Sequence, residues 1–393
     1  MLYSKFKDKS LSRLGMGTMR LPQTEGGEID KAQVREMVRY AIEHGINYFD
    51  TAYPYHNGMS EVVVGEMLRE YPRDSYYLAT KYPGHQVLES YDPAAVFEEQ
   101  LKKCGVEYFD FYLLHNVNEK SIGTYMNEQY GILEYFLRQK EIGRIRHLGF
   151  SSHGSPENLK EFLDYAGDEM EFCQLQLNYL DWSLQDAKTK YEMCREKNIP
   201  VIVMEPVRGG LLAKLEEDAE KLLKSHRADE SAVAWAFRFL MGLEDVAVIL
   251  SGMSNIEQLS ENIEVFENDK PLSEAELDAL MNVAQSLKCD VPCTKCRYCT
   301  KGCPAGLDIP KLLEHYVEAV YSPSLMFGIR MEAMEADGCH PKNCIGCTSC
   351  EQICPQNIKI SEIMADFTER VAKIPRWDDI CKARAEAAKK AKK

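Results

Sequence analysis

The sequence predicts an α/β chain: a closed (β/α)8 barrel followed by a small all-helical domain built around cysteines. Three observations carry that expectation. Across roughly the first 270 residues, short apolar segments alternate with amphipathic ones eight times, as strand-then-helix units of a barrel do. An open doubly wound sheet would use fewer strands and usually carries G-x-G-x-x-G, but Gly15-Met16-Gly17 supplies only two glycines. Near the C-terminus, one cysteine spacing occurs twice. A chain of 393 residues, 45% of them hydrophobic, is long enough for two or three domains with substantial cores.

The predicted strands are Leu14–Met19, Tyr48–Thr51, Tyr76–Lys81, Phe109–His115, Ile145–Ser151, Phe172–Leu177, Val201–Glu205 and Val246–Ser251. Between them, Lys31–His44, Ala94–Cys104, Glu134–Glu141, Pro156–Tyr165, Gln185–Asn198 and Ser231–Met241 follow the helical period. After the eighth unit, Ser273 and Glu276 make a capping box ahead of Leu277, Leu280, Met281, Ala284 and Leu287, the apolar stripe of one extra helix. Between the cysteine runs, Ile309, Leu312, Leu313, Tyr316 and Val317 fall at helical spacing, which predicts an all-helical module rather than clasping hairpins. The expected division is a barrel with its extra helix over 1–287, the cysteine domain over 288–375, and a basic helical tail over 376–393.

Cys293, Cys296, Cys299 and Cys303 follow C-x2-C-x2-C-x3-C, with Pro304 next; Cys344, Cys347, Cys350 and Cys354 repeat it, with Pro355 next. A cubane [4Fe–4S] cluster takes one thiolate per iron, and in bacterial two-cluster ferredoxins the fourth cysteine of each run serves the other cluster. That pattern assigns Cys293, Cys296, Cys299 and Cys354 to one cluster, and Cys344, Cys347, Cys350 and Cys303 to the second, in a ferredoxin-like domain. Zinc also uses paired C-x-x-C units, but it leaves the third cysteine, the x3 gap and the prolines unexplained. Cys104, Cys173, Cys194, Cys289, Cys339 and Cys381 read as ordinary thiols.

The net charge of −15 excludes a nucleic-acid partner, whose backbone needs a basic footprint. No apolar run is long enough to span a bilayer, and Met1-Leu2-Tyr3-Ser4-Lys5 lacks the apolar core of a signal peptide. The expectation is a cytoplasmic protein with reduced thiols and no membrane contact.

Three successive predicted strands end in Asp50, Lys81 and His115, with Tyr55 in the loop after the first of them. Strand C-termini are where such barrels place catalysis, so these side chains should converge on one rim. Taken singly, a strand-end Asp caps a helix and a strand-end Lys is solvated; the four together ask for another explanation.

These residues resemble the signature of the aldo/keto reductase superfamily: Asp, Tyr, Lys and His on successive units, the Tyr five residues after the Asp. The resemblance extends to Gly17 and Thr18 in Gly15-Met16-Gly17-Thr18, to Ser151 and Ser152, and to Gln174 with Asn178. Pro206, Val207, Gly209 and Leu211 resemble the loop over a pyrophosphate, and Gly252, Ser254, Gln258, Glu261 and Asn262 the adenosine end of the cofactor site. The C-terminal cysteines resemble the branch of this superfamily that carries a two-cluster module. The resemblance implies a TIM barrel binding NADP(H) or NAD(H), with Asp50, Tyr55, Lys81 and His115 catalytic. Two positions where relatives that prefer NADP(H) carry cations are Gly252 and Gln258, which leaves the coenzyme open.

In chemical terms, Tyr55 would protonate a carbonyl oxygen as hydride reaches its carbon, Lys81 would lower the phenol's pKa, Asp50 would hold the lysine, and His115 would orient the carbonyl. Tyr53, Tyr82 and Trp182 are candidates to line the pocket. The expected substrate is a small carbonyl or alcohol, and the expected redox partner a flavoprotein or ferredoxin. The alternative is an electron-transfer or redox-sensing iron–sulfur protein whose barrel binds nicotinamide without simple carbonyl turnover.

Overall fold

The computed structural model describes residues 1–86, 91–287, 291–321 and 323–391. Cys289 and the last two lysines of the tail lie outside the described residues. Two compact units are present, Met1–Met281 with the segment from Arg384, and Asn282–Ala383.

The first unit opens with a hairpin that the sequence reading missed, β1 (Tyr3–Phe6) against β2 (Lys9–Ser12). Eight parallel strands then close a barrel: β3 (Leu14–Gly17), β4 (Tyr48–Asp50), β5 (Tyr77–Tyr82), β6 (Phe109–Val117), β7 (Ile145–Ser152), β8 (Cys173–Gln176), β9 (Val201–Met204) and β10 (Val246–Ser251), the last pairing with the first. Each predicted strand is present, with ends shifted by up to two residues. Phe6 and Leu11 of the hairpin pack with Tyr48, Phe111, Phe172 and Val248, so the hairpin belongs to the barrel's own apolar core. The helices between strands carry side-chain caps at Asp30, Asp92, Ser155, Ser231 and Asn255.

Glu171, just before β8, ties hairpin to barrel. Its carboxylate meets Lys140 at 2.6 Å, His147 at 2.5 Å and Lys7 at 3.1 Å. Burial alone would raise its pKa, but hydrogen bonds from His147, Lys140 and Lys7 hold it down at about 2, against an ordinary 4.5. A depressed folded-state pKa stabilises above the unfolded value and is lost as pH falls through the folded one. Between pH 4.5 and 2 the wild type should therefore lose about 3 kcal/mol that Glu171→Gln does not lose, measured by urea denaturation across that window.

The second unit contains only helices and turns among its described residues, chief among them Tyr298–Lys301, Ile309–Tyr321, Leu325–Ala336, Ser349–Gln352 and Ile360–Ala372, with the first part of Trp377–Ala391, as far as Ala383. Its two cysteine runs have one backbone course. Lys295 and Arg297 take positive φ in the first run, Gly346 and Thr348 at the matching positions of the second; Gly306 and Asn357 do so after each proline. Each run then enters a long helix, starting at Ile309 and Ile360, and both isoleucines are buried in the unit's apolar core with Leu312, Leu313, Phe327 and Phe367. Among the described residues no helix is long and apolar enough to cross a membrane.

Candidate active site and metal centre

Parallel register sets the ends of β3, β4 and β5 side by side: Gly17 pairs with Asp50, and Asp50 with Ala79. Lys81, near the end of β5, is completely buried, and its Nζ donates to Asp50 Oδ1 at 2.5 Å and to the Thr51 carbonyl at 2.7 Å. The ammonium lies 5.1 Å from the Tyr55 ring centroid, and the Tyr55 and His115 rings meet edge-on at 6.0 Å. The structure thus brings Asp50, Lys81, Tyr55 and His115 into one volume.

Local backbone features aim these groups. Tyr55 starts a tight turn, Tyr55–Gly58, in which His56 and Asn57 take φ of 50° and 55°. The His56 ring accepts from the Leu21 amide at 3.2 Å and pairs with Gln23, clipping that turn to the loop after β3. At His115 the β6–β7 register shifts between Leu114 and Val117, and Asn116 takes φ of 58°. Such a bulge redirects a side chain from the strand's ordinary alternation, here at the rim. The Asn116 amide is held by Ser151 Oγ at 2.8 Å.

The electrostatics depart from the sequence expectation at Tyr55. Burial is the largest influence and lifts its phenol above the ordinary value; Lys81 pulls downward and Asp50 pushes up again. The lysine's attraction is present, but it does not win over desolvation in the protein alone. For Lys81, burial opposes the charge, yet Asp50 and Tyr55 outweigh it and hold the ammonium above its ordinary pKa. His115 sits well below its ordinary value, first through burial and then through the neighbouring His85 and Lys81, so it is a neutral imidazole. Its Nδ1 is buried with no hydrogen-bond partner among the described residues.

The expected cofactor residues divide into those free to bind and those already engaged. Gln174 donates weakly to Met204 sulfur, and its Oε1 is buried without a partner among the described residues, an acceptor ready for an amide N–H. Ser151 Oγ accepts from Asn116 and retains its own proton to donate. Ser152 Oγ accepts from Gly154 at 3.2 Å. Thr18 is engaged with the Asp50 carbonyl and Ser60, and Asn178 with Asp181, Glu205 and two backbone amides, so both position the backbone. Pro206, Val207, Gly209 and Leu211 lie in the turn after β9, where Gly209 and Gly210 have φ of 67° and 98°. The Ser254 backbone amide donates to Oε1 of Gln258, in the first turn of helix Ile256–Val265, at 2.8 Å; further along that helix Asn262 reaches back to Ser251, and Glu261 is exposed. Gly252 precedes them in the loop after β10.

One residue was missed. Arg20, exposed in the loop after β3, has Nη2 only 3.2 Å from where a Cβ on Gly209 would sit, and its stem lies 3.4–3.5 Å from the same point on Gly252. Its backbone carbonyl accepts from Ser254 Oγ at 2.9 Å, and its guanidinium has no ion-pair partner among the described residues. A cation therefore stands between the two glycine loops although Gly252 and Gln258 carry none. The orphaned Gln174 acceptor, the Arg20 cation and the open glycine turns fit an extended phosphate-bearing nicotinamide cofactor.

The expected pocket aromatics are mostly packing. Tyr82 is buried between Tyr125 and Phe136, and Trp182 packs on Tyr191 and Phe239. Tyr53 donates to Glu99 at 3.0 Å and stacks under Lys103.

In the second unit, Cys293, Cys296, Cys299 and Cys354 line one cavity and Cys303, Cys344, Cys347 and Cys350 another, with Ile360 contributing to both walls. Each cavity draws three cysteines from one run and the fourth from the other. Four thiols around an apolar cavity fit a thiolate-bound cluster.

Comparison with known proteins agrees with both halves. Residues 292–358 match the 4Fe-4S dicluster domain. The NADH-specific methylglyoxal reductase of Escherichia coli is 25% identical over 326 residues, spanning 72% of this chain and 97% of that protein. An aldo-keto reductase from Bacillus halodurans, solved in its holo form, superposes with a TM-score of 0.60 at 27% identity, covering 72% of this chain and 96% of that one. An aldo-keto reductase from Klebsiella pneumoniae in complex with NADPH shares the fold, with a TM-score of 0.57 at 21% identity, covering 72% and 96%. Residues 13–285, the whole barrel and nearly all of its extra helix, match the aldo/keto reductase family, and the chain belongs to that family.

Proposed function

We propose that this protein is a cytoplasmic NAD(P)H-dependent oxidoreductase in which residues 1–287 reduce a small carbonyl compound, or oxidise the alcohol, and residues 288–375 relay electrons through two [4Fe–4S] clusters. The observation that carries the reading is the buried Lys81–Asp50 ion pair set beside Tyr55 and the neutral His115. When bound, a nicotinamide supplies or takes the hydride and the clusters carry single electrons.

Everything else belongs to side chains. Tyr55 holds the proton destined for the carbonyl oxygen; because burial keeps its phenol protonated, it arrives as an acid. Lys81 stabilises the phenolate left behind, and Asp50 fixes Lys81. His115, being neutral, can donate a hydrogen bond to the carbonyl oxygen without introducing a competing charge. Gln174 and Ser151 would hold the carboxamide that sets the nicotinamide face, and Arg20 the phosphates. The methylglyoxal activity named for the Escherichia coli relative makes a 2-oxoaldehyde a sensible first substrate.

The test is coenzyme oxidation by anaerobic, cluster-loaded protein with methylglyoxal and simple aldehydes, using NADH and NADPH in turn. Stoichiometric alcohol formation is expected, and absence of turnover with every aldehyde and both coenzymes would end the carbonyl-reductase reading. In the same assay Arg20→Gln should weaken coenzyme binding about tenfold, seen as a raised Kd by fluorescence, with kcat little changed.

A further inference from the structure

Behind the strands that carry Asp50 and Lys81 lies a buried polar cluster that the chemistry above does not use. Glu61, the second residue of helix Ser60–Leu68, has no exposed surface, and neither do Ser60, Thr51, Thr80 and Gln100. Glu61 Oε1 accepts from Thr80 Oγ1 at 2.6 Å and from Gln100 Nε2 at 2.6 Å. Gln100, on helix Pro93–Cys104, also donates to the Lys81 carbonyl at 3.0 Å and accepts from the Tyr112 hydroxyl at 2.6 Å. The other Glu61 oxygen faces Lys103 at 3.4 Å. Thr80 precedes Lys81, so strand alternation sends the lysine toward Asp50 and the threonine toward the helices.

Ser60 makes the companion contact. Its hydroxyl lies 2.9 Å from Thr51 Oγ1 and 2.8 Å from Thr18 Oγ1, and Thr18 donates to the Asp50 carbonyl at 2.9 Å. Ser60 and Glu61 thus reach Thr18 beyond β3, Thr51 beyond β4 and Thr80 on β5. Their helix follows the Tyr55–Gly58 turn with only Met59 between, so what it grips fixes where Tyr55 stands relative to Lys81. One turn further along, Gly65 lets the helix close on its neighbour; a Cβ there would lie 2.2 Å from the Cys104 carbonyl oxygen. Burial of Glu61 is unfavourable and pushes its pKa up, with Lys103 and the hydrogen bonds opposing the rise. An apolar side chain of that size would pack there at least as well. The carboxylate has a use that an apolar group lacks: it holds Thr80 and Gln100, which flank the Lys81 backbone.

We propose that Glu61 is a positioning residue: through Thr80 and Gln100 it sets the place of Lys81 on β5, and through its own helix the place of Tyr55, so that ammonium and phenol meet in register. The inference rests on the proposed roles of Tyr55 and Lys81 and adds what holds the two together. Glu61 acts only through these neighbours and takes no part in proton or hydride transfer.

The experiment follows carbonyl reduction and alcohol oxidation by the full, cluster-loaded chain across pH, with coenzyme Kd by fluorescence and stability by urea denaturation. Glu61→Ala is expected to lower kcat about 10–100-fold with coenzyme Kd within about twofold, because a small misplacement of catalytic groups is enough for a loss of that size. The charges acting on the Tyr55 phenol are Lys81, Asp50 and Glu205, and only Lys81 favours the phenolate. A displaced Lys81 should therefore move the rise of alcohol oxidation to higher pH. Glu61→Gln keeps an acceptor for Thr80 and Gln100, so it should recover kcat to within about threefold and restore the profile. Thr80→Val removes one hydroxyl at nearly constant shape and should shift the profile in the same direction by less; it decides the matter where Glu61→Ala does not fold. Variants that lose stability while kcat and the pH profile match wild type would overturn the positioning role, as would a Glu61→Gln protein as impaired as Glu61→Ala. A wild-type chain that turns over no aldehyde would instead overturn the carbonyl-reductase reading beneath it.

Discussion

Tyr55→Phe is expected to lower kcat for carbonyl reduction by about 10²–10⁴-fold while leaving the coenzyme Kd within a factor of about two. The phenol's ring stands beside both Lys81 and His115, and phenylalanine keeps its shape while removing only the O–H. A wild-type rate in the variant would move the proton to another group. The pH profile checks the same assignment by a separate route. Reduction needs the protonated phenol, and burial raises that phenol's pKa, so kcat/KM should stay level through neutral pH and decline only above about 10. Alcohol oxidation, which needs the phenolate, should rise over the same range. Because His115 is held neutral by burial, no imidazole titration should appear near pH 6.5.

The second large effect concerns which cysteines act together. Under the crossed arrangement, Cys303→Ser and Cys344→Ser damage the same centre, because both thiols line one cavity. Each single variant and the double variant should therefore keep about four irons per chain after reconstitution, against about eight in the wild type. If each run instead served its own cluster, the two substitutions would strike different centres and the double variant would hold almost none. Iron and sulfide analysis separates these outcomes without any activity assay. The matching left-handed positions in the two runs, Lys295 with Gly346 and Arg297 with Thr348, are the backbone counterpart of that shared arrangement.

The barrel was legible in the sequence because each strand is a short apolar run bounded by amphipathic helices. The convergence of Asp50, Lys81 and His115 followed from their places at the ends of consecutive strands. What escaped was decided by tertiary contact. Tyr3-Ser4-Lys5-Phe6 looks polar, and it becomes a strand because Phe6 enters the barrel core. Arg20 is one exposed cation among many, and it matters only because the turns after β9 and β10 meet beside it. Tyr82 and Trp182 could have faced either way, since composition does not set side-chain direction. At Tyr55 the sequence named the right neighbours but could not rank them; burial outweighs Lys81.

Hydride chemistry moves two electrons and each cluster moves one, so the proposed function stands or falls on electrons passing between this barrel and this cysteine module. It is tested most directly by adding NADPH or NADH to anaerobic, cluster-loaded protein with and without a catalytic amount of flavin, while EPR follows the clusters. A reduced-cluster signal is expected to grow on coenzyme addition when flavin is present and to persist in Tyr55→Phe. Rapid carbonyl-dependent coenzyme oxidation with EPR-silent clusters, flavin or not, would contradict it and leave the cysteine module a structural appendage.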